Sequence, residues 1–206
     1  MKRRHCSSFR IDYTVIPMND SEVLELFRRS GALLEGHFKL SSGLHSGRYL
    51  QSALVLQYPD RAERLGAALA DRVRGLNATA VLSPALGGIV IGQEVGRALG
   101  IRALFAERQD GTLTLRRGFT LSPADRVLIV EDVITTGGST RETIAVAQAA
   151  GAQVIGAAGI VDRGGDPSRV GVPMQTLIRL EVPAYAPEAC PMCAAGQAVV
   201  KPGSRS

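Results

Sequence analysis

The chain has 206 residues, of which 45% are hydrophobic and 21% charged, with a formal net charge of +5 and 4% aromatic residues. That length can bury a core as one α/β domain with a small addition; no apolar run reaches membrane-spanning length, and the mild positive balance suits an anionic small molecule without the basic and aromatic patterning of a nucleic-acid binder. Three cysteines, Cys6, Cys190 and Cys193, are too few and odd in number for a disulfide framework and fit a reducing cytoplasm.

Residues 1–17 carry Lys2, Arg3, Arg4 and Arg10 and lack the apolar centre of a secretion signal, so they read as a solvated basic extension before a natural start at Met18. Asp20 or Ser21 is placed to cap a helix with Val23, Leu24 and Phe27 as its buried stripe. Gly36 to Gln51 reads as two short strands around a Ser/Gly turn, a separate flap ahead of the first parallel strand. Its histidines, His37 and His45, fit surface turn positions better than substrate contacts. A helix from Pro59 to Gly75 follows, with Leu65, Ala68, Leu69 and Val73 on one face.

Ala80 to Ser83 is a buried strand, and Pro84-Ala85-Leu86-Gly87-Gly88 joins it to a helix from Ile89 to Leu99. This turn is either an anion site or an ordinary glycine turn. Ala103 to Ala106 is the next strand. Gln109-Asp110-Gly111 turns it back through Thr112 to Leu115, in a stretch that also holds Arg108, Arg116 and Arg117. Ala152 to Val161 and Met174 to Leu180 complete the strands. The tail from Val182 is spotted with proline. Its Cys190-Pro191-Met192-Cys193 is open between zinc binding with His5 and Cys6 as remote partners, a redox pair, and no role.

The organising stretch is Val127 to Thr140, VLIVEDVITTGGST. Four apolar residues make a strand buried on both faces. Glu131 and Asp132 follow, then Val133, Ile134 and a turn of small residues, Thr135, Thr136, Gly137, Gly138 and Ser139, leading into a helix for which Ser139 and Glu142 have capping-box spacing. Glycines and a helix start aim backbone N–H groups at one point, a cup for phosphate. Two acids beside it would repel a bare polyphosphate, but they suit a ligand that also offers hydroxyls or a metal, such as a ribose 5-phosphate with its vicinal diol. The lysine of a P-loop and the G-x-G-x-x-G of a dinucleotide fold are both absent.

Strand, acidic pair, threonines, Gly-Gly and Ser in this order resemble the signature of the type I phosphoribosyltransferases, and Gly36 to Gln51 is similar to the N-terminal hood of the orotate-using members. The resemblance implies a twisted, mainly parallel sheet flanked by helices, with a hood at about 36–52, a core at about 60–181 and a tail at 182–206. It implies that phosphoribosyl pyrophosphate (PRPP) is held by residues 131–139, Arg108 and Gly87, with Glu131, Asp132 and Arg108 as the catalytic group. Orotate would lie against Thr135 and Arg163, whose fork suits a planar carboxylate. Mg²⁺ would be carried mainly by PRPP, with no side chain assigned as a metal ligand. The product would be orotidine 5′-phosphate, made for pyrimidine synthesis by a cytoplasmic homodimer without membrane or nucleic-acid partners. The chain departs from the pattern at Ser41 and Gly87, where members often carry lysine, and in a short loop at 107–119 without lysine or histidine. It therefore looks like a short-loop branch in which arginine supplies the charge. A transferase for a purine or another base, or a PRPP-sensing regulator, are the alternatives.

Overall fold

The computed structural model describes residues 17–40 and 42–202, and the backbone but not the side chain of Pro167. The basic extension, His5, Cys6 and Ser41 lie outside the described residues.

Helix α1 (Asp20–Arg29) is capped by Asn19 rather than by Asp20 or Ser21. The Asn19 side chain accepts from Glu22 N at 3.0 Å while Glu22 accepts from Asn19 N at 2.9 Å. Only Asn19 stands three residues before a glutamate able to answer it. Strands β1 (Leu33–Lys39) and β2 (His45–Leu50) form the expected antiparallel hairpin, whose register shifts between Glu35 and Phe38. A single turn, α2 (Ala53–Leu56), leads to α3 (Pro59–Val73), which opens on proline where a helix needs no N–H donor.

Then come β3 (Ala80–Pro84), α4 (Gly87–Leu99), β4 (Arg102–Gln109), β5 (Thr112–Leu115), β6 (Arg126–Ile134), α5 (Gly138–Ala149), β7 (Gln153–Asp162), β8 (Met174–Arg179), β9 (Ala184–Tyr185) and α6 (Pro191–Ala194). Helix α4 starts two residues earlier than expected, so Gly87 and Gly88 belong to its first turn. Strand β4 outlasts Ala106 because β5 folds back on it through Asp110 and Gly111, both at positive φ.

One sheet runs in the order β5-β4-β3-β6-β7-β8, parallel throughout except for β4 with β5. Its centre, β6, has Val127, Leu128, Ile129 and Val130 fully buried. Leu128 and Val130 pack with Leu65, Leu69, Ile91 and Val95 of α3 and α4, whereas Val127 and Ile129 pack with Leu104, Leu113, Ile144 and Ala147 on the other face. Alternation along an extended strand thus feeds two cores, and truncating such a residue costs about 2–5 kcal/mol. A second sheet, β1-β2-β9, stands outside the first. The tail is more ordered than its prolines suggest. It supplies β9, and Val200 bridges β1 through Lys39 N to Val200 O and Val200 N to His37 O, each 2.8 Å. His37 and His45 are not surface residues: they are 4% and 6% exposed beneath that tail.

Candidate active site

Parallel strands end together, so the turns after β3, β6 and β7 share one edge of the sheet, the usual place for ligands in such sheets. Three cavities meet there at Asp132; one, about 340 Å³, is walled largely by Ala53, Leu56, Leu86 and Val90, and the other two take in the residues of the motif. The larger, about 490 Å³, lies between this edge and the hood and is lined by Lys39, Tyr49, Ser52, Asp132, Thr135, Arg163 and Lys201, among others. The smaller, about 200 Å³, is enclosed by Pro84, Ala85, Gly87, Gly88, Arg108, Glu131, Asp132 and Ser139 together with Leu113. Asp132 belongs to the walls of both.

The two acids are held at the end of β6 with little water around them. Burial first, and then the neighbouring charge of Asp132, push the Glu131 carboxyl up to about 7, against hydrogen bonds from Thr140 and Ser139 that favour its ionised form. The Thr140 hydroxyl donates to Glu131 Oε2 at 2.5 Å. Burial likewise raises Asp132, moderated by the Val133 N–H and the nearby Ser52 hydroxyl, although the latter makes no hydrogen bond of full geometry. Gly87 has a concrete reason to be glycine: a Cβ there would stand 2.8 Å from Asp132 Oδ1. Any side chain at that position would require the Asp132 carboxylate to shift.

The turn after β6 is shaped by arginines that take its carbonyls. Arg163 N donates to Ile134 O at 3.0 Å, Arg169 Nε to Thr135 O at 2.8 Å and Arg141 to Thr136 O at 2.9 Å. Arg169 is anchored in turn by a buried ion pair with Asp162. Among the described residues, no backbone hydrogen bond has the N–H of Thr135, Thr136 or Gly137 as its donor. Gly137 adopts a left-handed φ of 73° and is the N-cap of α5, so the expected Ser139–Glu142 capping box does not form. Ser139 instead stands on the wall of the smaller cavity with Glu131, and Glu142 pairs with Arg108 at 2.9 Å. Free amides above a helix start make an anion cup.

Most of the residues singled out in the sequence converge here. Val133 and Thr135 line the larger cavity, Gly87, Arg108, Glu131 and Ser139 the smaller. Thr136, Gly137 and Gly138 form the turn between them in sequence, while the Ile134 side chain is fully buried in the core. Arg108 is already engaged, donating to Gly111 O at 2.6 Å as well as to Glu142. Arg116 and Arg117 instead pair with Glu107. Arg163 is half-buried, its guanidinium lowered by that burial, and its buried Nε has no partner.

Tyr49, Ser52, Arg141, Arg169 and Lys201 escape a reading of the sequence. Apart from Tyr49 in the hood segment, none sits in a patterned motif.

A family model described as the phosphoribosyl transferase domain matches residues 55–171. The orotate phosphoribosyltransferase of Pelotomaculum thermopropionicum is 52% identical over 188 residues, covering 91% of this chain and 99% of that protein. That of Rhizorhabdus wittichii is 53% identical over 192 residues, covering 92% and 98%. Among solved structures, the orotate phosphoribosyltransferase of Aeropyrum pernix is similar with a TM-score of 0.64 and 27% identity, covering 75% of this chain and 93% of that one. The Mycobacterium tuberculosis H37Rv orotate phosphoribosyltransferase in complex with PRPP shares the fold at a TM-score of 0.65 and 24% identity, over 78% of this chain and 95% of that one. With an acid ledge, a glycine-started helix and relatives matched over nearly their whole length, the chain belongs to the phosphoribosyl transferase family, among its orotate phosphoribosyltransferases.

Proposed function

We propose that this chain transfers the phosphoribosyl group of PRPP to orotate, giving orotidine 5′-phosphate and pyrophosphate for pyrimidine synthesis. The observation that carries this reading is Asp132, shared by a polar small cavity and a larger one closed by Arg163. The anomeric carbon sits at that junction. The 5-phosphate occupies the turn of Thr135 to Ser139, pyrophosphate fills the small cavity, and the orotate carboxylate meets the Arg163 guanidinium on the wall of the larger cavity, with Thr135 beside the ring.

As pyrophosphate leaves, positive charge grows on the ribose. Glu131 and Asp132 hold its hydroxyls and offset that charge, and bound substrate displaces water from the cavities they line. Arg108 trades Glu142 for the departing pyrophosphate, a change of partner that costs little because the existing pair is solvent-exposed. The hard oxygen donors of Glu131 and Asp132 on the wall of the small cavity fit Mg²⁺ delivered with PRPP. When bound, that ion supplies charge neutralisation to the pyrophosphate.

The chain works as a cytoplasmic homodimer without nucleic acid or membrane. Leu86, 84% exposed, and Val90, 42% exposed, put apolar surface beside the site for a second copy. No helix among the described residues is long and apolar enough to cross a membrane. The deciding experiment mixes protein, Mg²⁺ and PRPP with orotate, uracil, adenine or hypoxanthine and follows pyrophosphate release. Orotate alone should support turnover; release driven by a purine instead would overturn the acceptor assignment.

A further inference from the structure

The C-x-x-C of the tail and the two hood histidines come from segments about 150 residues apart, yet they converge on one point. His37 Nε2 lies 2.8 Å from His45 Nδ1 and 3.5 Å from Cys190 Sγ. Cys193 Sγ lies 3.2 Å from His45 Nδ1 and 3.6 Å from His37 Nε2. All four ligand-capable atoms fall within 4.8 Å of one another. His37, His45 and Cys190 are buried and Cys193 closes the outer side.

We propose that His37, His45, Cys190 and Cys193 form a Cys₂His₂ site that binds one Zn²⁺ and ties the C-terminal tail to the hood. Around a tetrahedral zinc with bonds of about 2.0–2.3 Å, neighbouring ligand atoms stand roughly 3.3–3.8 Å apart. The observed spacings bracket that range, from 2.8 Å to at most 4.8 Å, so side-chain shifts of up to roughly 1 Å accommodate the ion. Two nitrogens with two sulfurs select zinc over calcium or magnesium, which prefer oxygen.

The surroundings orient the ligands. His37 Nδ1 stands 2.9 Å from Gln197 O, and a carbonyl can only accept, so Nδ1 carries the proton and the Nε2 lone pair faces the cluster. The register shift between Glu35 and Phe38 falls at His37 and lets its ring meet that of His45 across the hairpin. On the tail side, Ala194 N donates to Cys190 O and Gln197 N to Met192 O, a compact turn that presents both sulfurs together. Binding converts both thiols to thiolates with release of two protons, while the imidazoles stay neutral.

Such a site accounts for a tail that would otherwise hang on few contacts. It fastens the chain just ahead of Val200, which bridges β1, and of Lys201, which lines the larger cavity beside Lys39 and Arg163. The metal thereby holds the roof of that cavity, whatever base occupies it.

The test is metal analysis of the full chain purified under reducing conditions and reconstituted with Zn²⁺ or Co²⁺. One Zn²⁺ per chain is expected, released by a mercurial. The Co²⁺ form should show thiolate-to-cobalt charge transfer and strong tetrahedral d–d bands. Chelation should lower the melting temperature of the wild type, and Cys193→Ser should lose the stoichiometric metal and the chelator-dependent shift together. Failure to take up one equivalent of either ion, a cobalt spectrum without thiolate bands, or a Cys190–Cys193 disulfide persisting under those reducing conditions would each overturn the site. The wild-type measurements decide the matter even if the variant does not fold, and none depends on which base is the acceptor.

Discussion

Glu131 to Ser139 form the floor of the site from one short run of chain, whereas its roof gathers Lys39 and Tyr49 from the hood, Arg163 from the end of β7 and Lys201 from the tail. The floor hangs from β6, which is paired on both sides and buried on both faces. Apart from Arg163, which the main sheet carries, the roof hangs from a three-stranded sheet whose outer strand is two residues long. Rigid parallel strands can hold acids in place without much water, but a light sheet needs a fastening, and the Cys₂His₂ cluster stands where one would act. The two regions therefore answer perturbation differently: floor changes should act on chemistry and PRPP, roof changes on the acceptor base.

The largest effect is expected at Asp132, which both cavities share. Asp132→Asn should cut turnover by about 10²–10³-fold, as for loss of a group that meets developing charge, while thermal unfolding stays where it was or improves because a buried charge is gone. A near-normal rate would place the chemistry elsewhere. Arg163→Lys sharpens the roof side of the comparison. Losing the planar fork should lower kcat/KM for orotate about 10–100-fold with little change in KM for PRPP. An equal loss for both substrates would mean that floor and roof are not separate. Gly87→Ala probes the floor without replacing either of its acids. The added methyl group crowds Asp132, and KM for PRPP should rise roughly tenfold in an otherwise folded protein.

The smallest effect is a pH dependence written into Glu131. Burial raises its folded value to about 7 from an ordinary 4.5. The carboxyl is then neutral in both folded and unfolded chains at low pH, and its contribution to stability is fully present there. That contribution is lost as pH rises through about 7, because ionising the buried group costs more than ionising the unfolded one. Glu131→Gln should match the wild type near pH 4 and exceed it near pH 8, by about 1–2 kcal/mol after allowing for partial solvent access. Melting curves across that range check it. A variant less stable than the wild type at pH 8 would mean that the acid is already compensated in the free protein.

Much of the floor is legible in the chain because its signals are local. Four apolar residues state a doubly buried strand, and acids, threonines and glycines then follow in the order in which they meet a ligand. The hairpin at Asp110-Gly111 was readable for the same reason, since its turn residues are adjacent. Local reading failed where the answer depended on a distant partner. Ser139 has capping-box spacing, but the helix takes Gly137 as its N-cap, two residues earlier. His37 and His45 look like turn residues until the tail covers them. Arg169 acquires its task only because Asp162 and the carbonyl of Thr135 lie beside it.

By itself, then, the order of residues determined an α/β sheet, a phosphate turn beneath paired acids and an arginine after the next strand, since each rests on periodicity or adjacency along the chain. Only the tertiary structure decided that Gly87 lies against Asp132, that Lys201 reaches the base cavity, and that two hood histidines meet two tail cysteines. Those are close approaches between segments far apart in sequence. They are set by how sheets, hood and tail pack together, which no window along the chain contains.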